Sequence, residues 1–343
     1  MQLFSQNHKI RLNSDAIGLL NKAEESINHL AGAFSIFNED HFITKILRLR
    51  ESIESLSIDD FSITLKDFFT SVCLNESDKI KLTQNLLSAS LLGTSLIKNV
   101  ARPEHIIKSI YKKLIGNQDV NDSQTNIYRS KIISGSSIVL PHDIQNEMEL
   151  LGKYIVSDIS YPPLINAAII HAKFEQIHPF ENMNGIVGRI LIHLQLQWKN
   201  RLTNNCLQIS RLLNKNKQEY FDRLSELESS QNWNEWIKFF LRMLIQASNE
   251  TNKIIKDLFD TEKAGYRKLI SSNSASTSII KFFEHLFYQP VISIPYITET
   301  LQLSKQTANI VVSKLIELNL ITEVTGKQRY RIYENKDLLD LLN

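Results

Sequence analysis

Apolar residues recur at three- and four-residue intervals along most of the chain, the spacing that lines one face of an α-helix. Ser14 or Asp15 is placed to cap a first helix through LLNKAEESINHLAG. A second helical run covers Asp40 to about Ser55, and Ser57-Ile58-Asp59-Asp60 reads as a cap before FSITLKDFF. The same period predicts helices over 78–98, 103–115, 143–158, 163–177, 185–198, 213–230 and 233–258. Glycine and proline number only ten and seven, which suits a mainly α chain.

The helical pattern breaks at two places. Residues 117–142 are polar, carry Gly135 and a β-prone ISGSSIVL segment, and predict a loop with a small hairpin. The polar run 271–278 marks a domain boundary. Beyond it, Ile294–Leu301 reads as a helix, Leu303-Ser304 as a turn and cap, and Lys305–Leu318 as a second helix. Ile321–Val324 and Arg329–Tyr333 then alternate around Thr325-Gly326-Lys327 as a hairpin. Residues 279–343 thereby resemble a winged helix-turn-helix domain. Lys305, Lys327, Arg329 and Arg331 gather at the second helix's start and on the wing, where that resemblance places DNA contacts. From Lys281 onward, however, seven basic residues meet seven acidic ones. That balance lacks the electrostatic footprint of a strong DNA binder, so dimerisation and target docking stand beside DNA binding as roles for this module.

Composition narrows the classes without choosing among them. At 343 residues, 43% hydrophobic and 22% charged, the chain is long enough for two or three domains and a large core. A net charge of +2 gives no global reason to expect nucleic acid or a membrane surface. Cys73 and Cys206 form no metal-binding spacing and read as two buried free thiols. The first residues lack the apolar core of a signal peptide, and Leu86–Ile97 is too short and too polar to span a bilayer. A cytoplasmic protein without a membrane partner is expected.

The chemistry concentrates at His178-Pro179-Phe180-Glu181-Asn182-Met183-Asn184-Gly185-Ile186-Val187-Gly188-Arg189. A histidine ends one helical run, a short polar loop follows, and an arginine lies one turn into the next helix. Free N–H groups at a helix N-terminus suit phosphate, and a histidine at their edge suits a general base. This stretch resembles the signature of the Fic (Fido) family, His-Pro-Phe-x-Asp/Glu-Gly-Asn-Gly-Arg-x-x-Arg, at His178, Pro179, Phe180, Asn184, Gly185 and Arg189. The resemblance extends over about residues 10–260. It takes in Tyr128-Arg129 with the SGSSIVLP segment as a hairpin flap that clamps the target, KQEYFDRL with Tyr220 as a helix closing the nucleotide pocket, and Trp233, Trp236, Phe239 and Phe240 as an aromatic helix. It implies a mainly α fold: an N-terminal helical region over 1–100, a Fic core with a small β-hairpin flap over 101–262, and the winged helix.

What the resemblance implies for function is transfer of AMP from ATP, with Mg²⁺, onto a Ser, Thr or Tyr hydroxyl of a protein or of the chain itself. His178 would be the base. Residues Asn182, Met183, Asn184, Gly185, Ile186, Val187, Gly188, Arg189 and Tyr220 would bind the nucleotide. Three positions depart from the signature. Asn182 replaces the acid that holds magnesium and Ile186 replaces an arginine, so the metal and charge contributions weaken. Met183 replaces a glycine, adding a side chain where the loop backbone calls for unusual dihedrals or a close approach to phosphate. In one class of the family an N-terminal helix carries an inhibitory glutamate that pairs with the last arginine of the signature. Arg50-Glu51-Ser52-Ile53-Glu54-Ser55 falls at the matching distance, with Glu54 as that glutamate and Arg189 as its partner. A second reading stays open: a catalytically degenerate, nucleotide-binding regulator that binds DNA, or a homodimer, through its winged helix. His171, Glu175 and His178 share one helical face at a spacing open to zinc, although no further ligand joins them.

Overall fold

The computed structural model describes residues 10–97, 102–116, 127–132, 139–157, 161–272 and 276–343. Helices dominate, as the periodicity predicts, and one small sheet lies near the C-terminus. The hairpin expected within 134–141 falls largely on residues outside those described.

The N-terminal helices are α1 (Ser14–Phe34), α2 (Phe42–Ile58), α3 (Leu65–Leu74), α4 (Ser77–Leu96) and α5 (Pro103–Leu114). The cap of α1 is Asn13, one residue before the expected Ser14; its side chain accepts from the Ala16 N–H. Ser57–Asp60 does not start a helix. It ends α2, with Asp60 in the left-handed region and the Phe61 N–H closing back onto the Leu56 carbonyl, a Schellman turn that satisfies the last carbonyls. Thr64 caps α3 instead, in a reciprocal box with Asp67.

Helices α6 (Ile144–Val156), α7 (Pro163–Ile177), α8 (Asn184–Trp198), α9 (Ile209–Lys215), α10 (Lys217–Ser230) and α11 (Trp233–Ser271) follow. The run expected over 213–230 is two helices, broken at Asn216. Helix α11 continues thirteen residues beyond the expected 258. Nothing in its sequence stops it: no Gly or Pro interrupts until Gly265, and that glycine is retained because an added Cβ would lie 2.2 Å from the Phe283 ring.

The C-terminal part comprises α12 (Thr277–Leu286), β1 (Val291–Ser293), α13 (Ile294–Thr300), α14 (Lys305–Glu317), β2 (Thr322–Glu323), β3 (Ile332–Glu334) and α15 (Lys336–Leu342). Strand β3 is central and antiparallel to both neighbours, with Ile292 opposite Tyr333 and Glu323 opposite Tyr333. The expected hairpin is present with shorter strands. Strand β1, three buried residues after Pro290, was not anticipated because three residues are too few to display a period.

One apolar core runs from α1 through α7 and α11 into α12 and α15. A second cluster, joining α4, α5 and α6 to α7 and α8, lies under the loop that carries His178. Polar contacts tie the C-terminal part to the N-terminal helices. Lys66 pairs with the buried Glu334 at 2.8 Å, the Gln289 amide donates to the Phe69 carbonyl, and Arg50 donates to the Leu342 carbonyl. Among the described residues, no helix is long and apolar enough to cross a membrane. Both cysteines are buried free thiols, as expected.

Helix α2 is the member that the site depends on most. Its Glu51 is buried and accepts from the Ser210 N–H and hydroxyl of α9, and lies 3.0 Å from His193 Nε2 of α8. Removing one partner from such a buried charged cluster orphans the others. Glu51→Ala is therefore expected to destabilise the fold by about 3 kcal/mol or more, read as a shift of the urea midpoint without a change of slope.

Candidate active site

Helices α7 and α8 pack side by side, and the six residues between them bend the chain back. Two of those residues are left-handed without being glycine: His178, which caps α7 (φ 47), and Met183, which precedes α8 (φ 61). A side chain in that region costs roughly 1–2 kcal/mol. Met183 stands where the signature has glycine, and its dihedrals give the physical reason for glycine there. The loop is held in this shape from inside and outside. Asn184 Oδ1 accepts from the Phe180 N–H at 2.9 Å, while Asn184 Nδ2 donates to the Phe180 carbonyl at 2.8 Å. From outside, Arg129 donates to the carbonyls of His178 (2.8 Å) and Val139 (2.6 Å), and its backbone N–H to that of Pro179.

His178 is half-exposed at the edge of this loop. Burial and the neighbouring Arg129 charge lower its pKa, against a ring N–H bond to the Glu175 carbonyl and the charge of Asp59. That bond fixes one ring nitrogen as the donor and leaves the other as a base, neutral at physiological pH.

Met183 gives α8 no side-chain cap, so the first-turn N–H groups point toward whatever sits before the helix. Beside that first turn lies a carboxylate, Asp59. Gly185 has no side chain, and a Cβ added to it would lie 3.1 Å from Asp59 Oδ1 and 2.8 Å from an Arg189 nitrogen. Asp59 follows the last residue of α2, at the negative end of its own helix dipole, where an anion is disfavoured. The positive end of α8 and the Arg189 guanidinium compensate. Arg189 is 2% exposed. Its Nη2 reaches Asp59 Oδ2 at 2.7 Å and the Ser55 carbonyl at 2.8 Å, and its Nε reaches the Ser55 hydroxyl at 2.8 Å. Burial acts to lower the arginine's pKa, but Asp59, by charge and hydrogen bond, together with Tyr220 and Glu175 outweighs it and raises the value.

This corrects the expected partner of Arg189. Glu54 faces away from it and pairs with Arg211 at 2.9 Å and Asn214 at 3.2 Å, both on α9. The i,i+4 pair Ser55 and Asp59 occupies the arginine instead. Their spacing was visible in the sequence; the rotation of α2 that aims them was not.

Other expected nucleotide contacts are placed differently. The Ile186 side chain is fully buried in the cluster under the loop, as is Val187, whose N–H is already bonded to the Met183 carbonyl. The free cradle is thereby limited to the N–H groups of Asn184, Gly185 and Ile186, and the Asn184 side chain braces the loop. Gly188 lies against α7, where a Cβ would come 2.2 Å from Glu175 Oε1. Tyr220 is 1% exposed and lies behind Arg189 rather than over an open pocket. Its hydroxyl is 2.9 Å from His171 Nε2, and His171 Nδ1 is 3.0 Å from the Gly188 carbonyl. Because a carbonyl only accepts, His171 Nδ1 carries the proton and Tyr220 donates to Nε2. Burial drives the His171 pKa to about 3, so it stays neutral. Both of its nitrogens are engaged, which removes the zinc reading. Among the described residues, no three His, Cys, Asp or Glu side chains gather to hold a metal.

The magnesium position follows the same logic. Asn182 is exposed, and its Oδ1 accepts from the Tyr111 hydroxyl at 3.2 Å, with Tyr111 stacked on Phe180 at 3.9 Å. A neutral carboxamide already engaged by a phenol does not fit a cation that prefers anionic oxygens.

A histidine base, a helix N-terminus and a buried arginine thus converge on one loop. The family model described as Fic/DOC family matches this part of the chain. Residues 101–196 form a Fic/DOC domain. Two solved structures share the wider fold. A Fic family protein from Desulfovibrio desulfuricans G20 is 17% identical with a TM-score of 0.57, over 95% of this chain and 97% of that one. A fragment of Fic-1 from C. elegans is 13% identical with a TM-score of 0.51, over 69% of this chain and 73% of that one. At these identities the likeness is one of fold.

Lys305, Lys327, Arg329 and Arg331 are exposed on α14 and on the turn between β2 and β3. The residues sequence reasoning missed are Asp59 and Ser55 as partners of Arg189, Arg129 as the outer brace, and Glu175. Asn184→Ala removes both bonds to Phe180, each worth roughly 1 kcal/mol. A loss of about 2 kcal/mol is expected by chemical denaturation.

Proposed function

We propose that this protein is a Fic-type protein adenylyltransferase held closed by the end of α2. The supporting observation is one juxtaposition: Asp59 lies on Arg189 and the first turn of α8, in the place a nucleotide phosphate would take, next to His178. Once Ser55 and Asp59 withdraw, the N–H groups of Asn184, Gly185 and Ile186 and the Arg189 guanidinium face a triphosphate. The free ring nitrogen of His178 takes the proton from a protein Ser, Thr or Tyr hydroxyl. That oxygen bonds to the α-phosphorus of ATP as the bond to pyrophosphate breaks, and the guanidinium and the N–H groups hold the leaving pyrophosphate. Magnesium, which the family uses with ATP, would supply charge neutralisation. The neutral Asn182 carboxamide does not fit that ion.

The expected outcome is specific to Asp59. Incubated with α-labelled ATP and Mg²⁺, Asp59→Ala labels protein at least 10-fold faster than the wild type, the order of effect of gaining one transition-state charge contact. His178→Ala in that background abolishes labelling. Glu54→Gly alone leaves the wild-type rate, because Glu54 holds Arg211. The lowered pKa of His178 keeps the base unprotonated down to below about 6.5, so the acid limb of the pH–rate profile lies below that value.

A second reading is favoured by the buried Ile186 and the engaged Asn182: a loop that binds nucleotide without turnover, in a regulator whose C-terminal part acts as a winged helix. Calorimetric ATP binding by a folded Asp59→Ala protein without labelling would select it. A salt-dependent DNA shift lost in Lys305→Ala/Arg329→Ala would give that module its role.

A further inference from the structure

Glu175 is a carboxylate that the reaction above does not use. It lies on α7, one turn before His178, and its Oε1 is buried without a hydrogen-bond partner among the described residues. The space it occupies exists because residue 188 is glycine. Helix α8 brings Arg189 beside it, and Asp59 approaches from the end of α2. Tyr220 of α10 faces the same group, whereas His171 and His178 flank it on α7.

In the closed arrangement the carboxylate bonded to Arg189 comes from α2, while Tyr220 and Glu175 face the guanidinium from other helices. Opening it removes Asp59 and Ser55 together, which takes the bonded carboxylate from a guanidinium that is 2% exposed while α2 covers it. A buried, unpaired cation is among the least tolerable states in a protein interior. The carboxylate that still faces it is Glu175, on an element that does not leave with α2. Helix α7 is such an element, packed along α8.

We infer that Glu175 is the reserve counter-ion of Arg189, a positioning residue that takes over the guanidinium when Asp59 withdraws and so holds it for phosphate. This rests on the proposed release of α2, but it is a statement about charge pairing and is testable without turnover. In the closed form Arg189 is committed to Asp59. Burial, together with the Asp59 charge, pushes the Glu175 carboxyl up to about 7 against the opposing pull of Arg189. It is therefore largely protonated in mildly acidic solution and becomes a full anion when Arg189 turns to it. Tyr220 stays neutral throughout, its pKa raised well above the ordinary phenol value.

A stability cycle on the full chain decides the matter. At about pH 5, where Glu175 is largely protonated, Glu175→Gln alone is expected to leave the melting temperature near that of the wild type, and Asp59→Ala alone to lower it modestly. The double variant falls below the sum of the two by at least about 3 °C. Additivity overturns the inference. Gly188→Ala crossed with Asp59→Ala gives an independent arm, because a Cβ at 188 expels the carboxylate without changing its charge; the same excess loss is expected, and additivity there also counts against the inference.

The pH dependence supplies a readout that lost packing would not move. An acid with a folded pKa of about 7, above its unfolded value of about 4.3, contributes stability below pH 4.3 that is lost as pH rises to 7. The difference in stability between the wild type and Glu175→Gln should show that decline. In the Asp59→Ala background the decline should vanish, because Glu175 is then ionised beside Arg189. The His178 titration is common to both members of each pair and cancels. A decline that survives Asp59→Ala overturns the inference. If the cycles show coupling while no variant labels protein with α-labelled ATP, the inference stands and the transferase reading falls.

Discussion

The arrangement of this protein turns on the need of one buried guanidinium for an anion. Arg189 enters the interior one turn into α8, where only a carboxylate or a phosphate can compensate for the water it has lost. In the closed form that anion is Asp59, which sits at the unfavourable end of its own helix and is stabilised only by what it meets across the gap. The position of α2 is thereby linked to the state of the site. Helix α2 is in turn held by Glu51 to α8 and α9, by Glu54 to Arg211, and by Arg50 to the chain's last turn.

The loop from His178 to Met183 shows a second constraint, this one in the backbone. Both of its ends are left-handed and neither is glycine, so the loop keeps its shape only because other groups insist on it. Asn184 clamps Phe180 from within, Tyr111 stacks on Phe180, and Arg129 gathers the carbonyls outside. They hold the histidine and the helix N-terminus at one distance from each other.

Much of this was legible before any coordinates. Helix periodicity located nearly every helix, since burial against a neighbour imposes the 3.6-residue pattern whatever the neighbour is. The histidine, the helix N-terminus and the arginine were found because they lie within twelve consecutive residues, where chain connectivity alone keeps them close. The errors have one origin. Asp59 was read as the cap of a following helix, and Glu54 was chosen as the partner of Arg189. Both choices required knowing where α2 stops and how it is rotated. Each residue turns a helix by about 100°, so Glu54 and Asp59, five positions apart, face different neighbours.

The chain by itself therefore determined its helical class and the placing of His178, a helix N-terminus and Arg189 within one short stretch, because local spacing encodes them. It also determined that Met183 would strain the loop, since glycine's freedom at a left-handed position is an intrinsic property. Only the tertiary structure decided which carboxylate meets Arg189, that Ile186 and Tyr220 are buried, and that the Glu175 carboxylate lies buried beside Gly188. Those outcomes depend on the rotation and crossing of helices far apart in sequence, which packing sets and no short stretch of residues can specify.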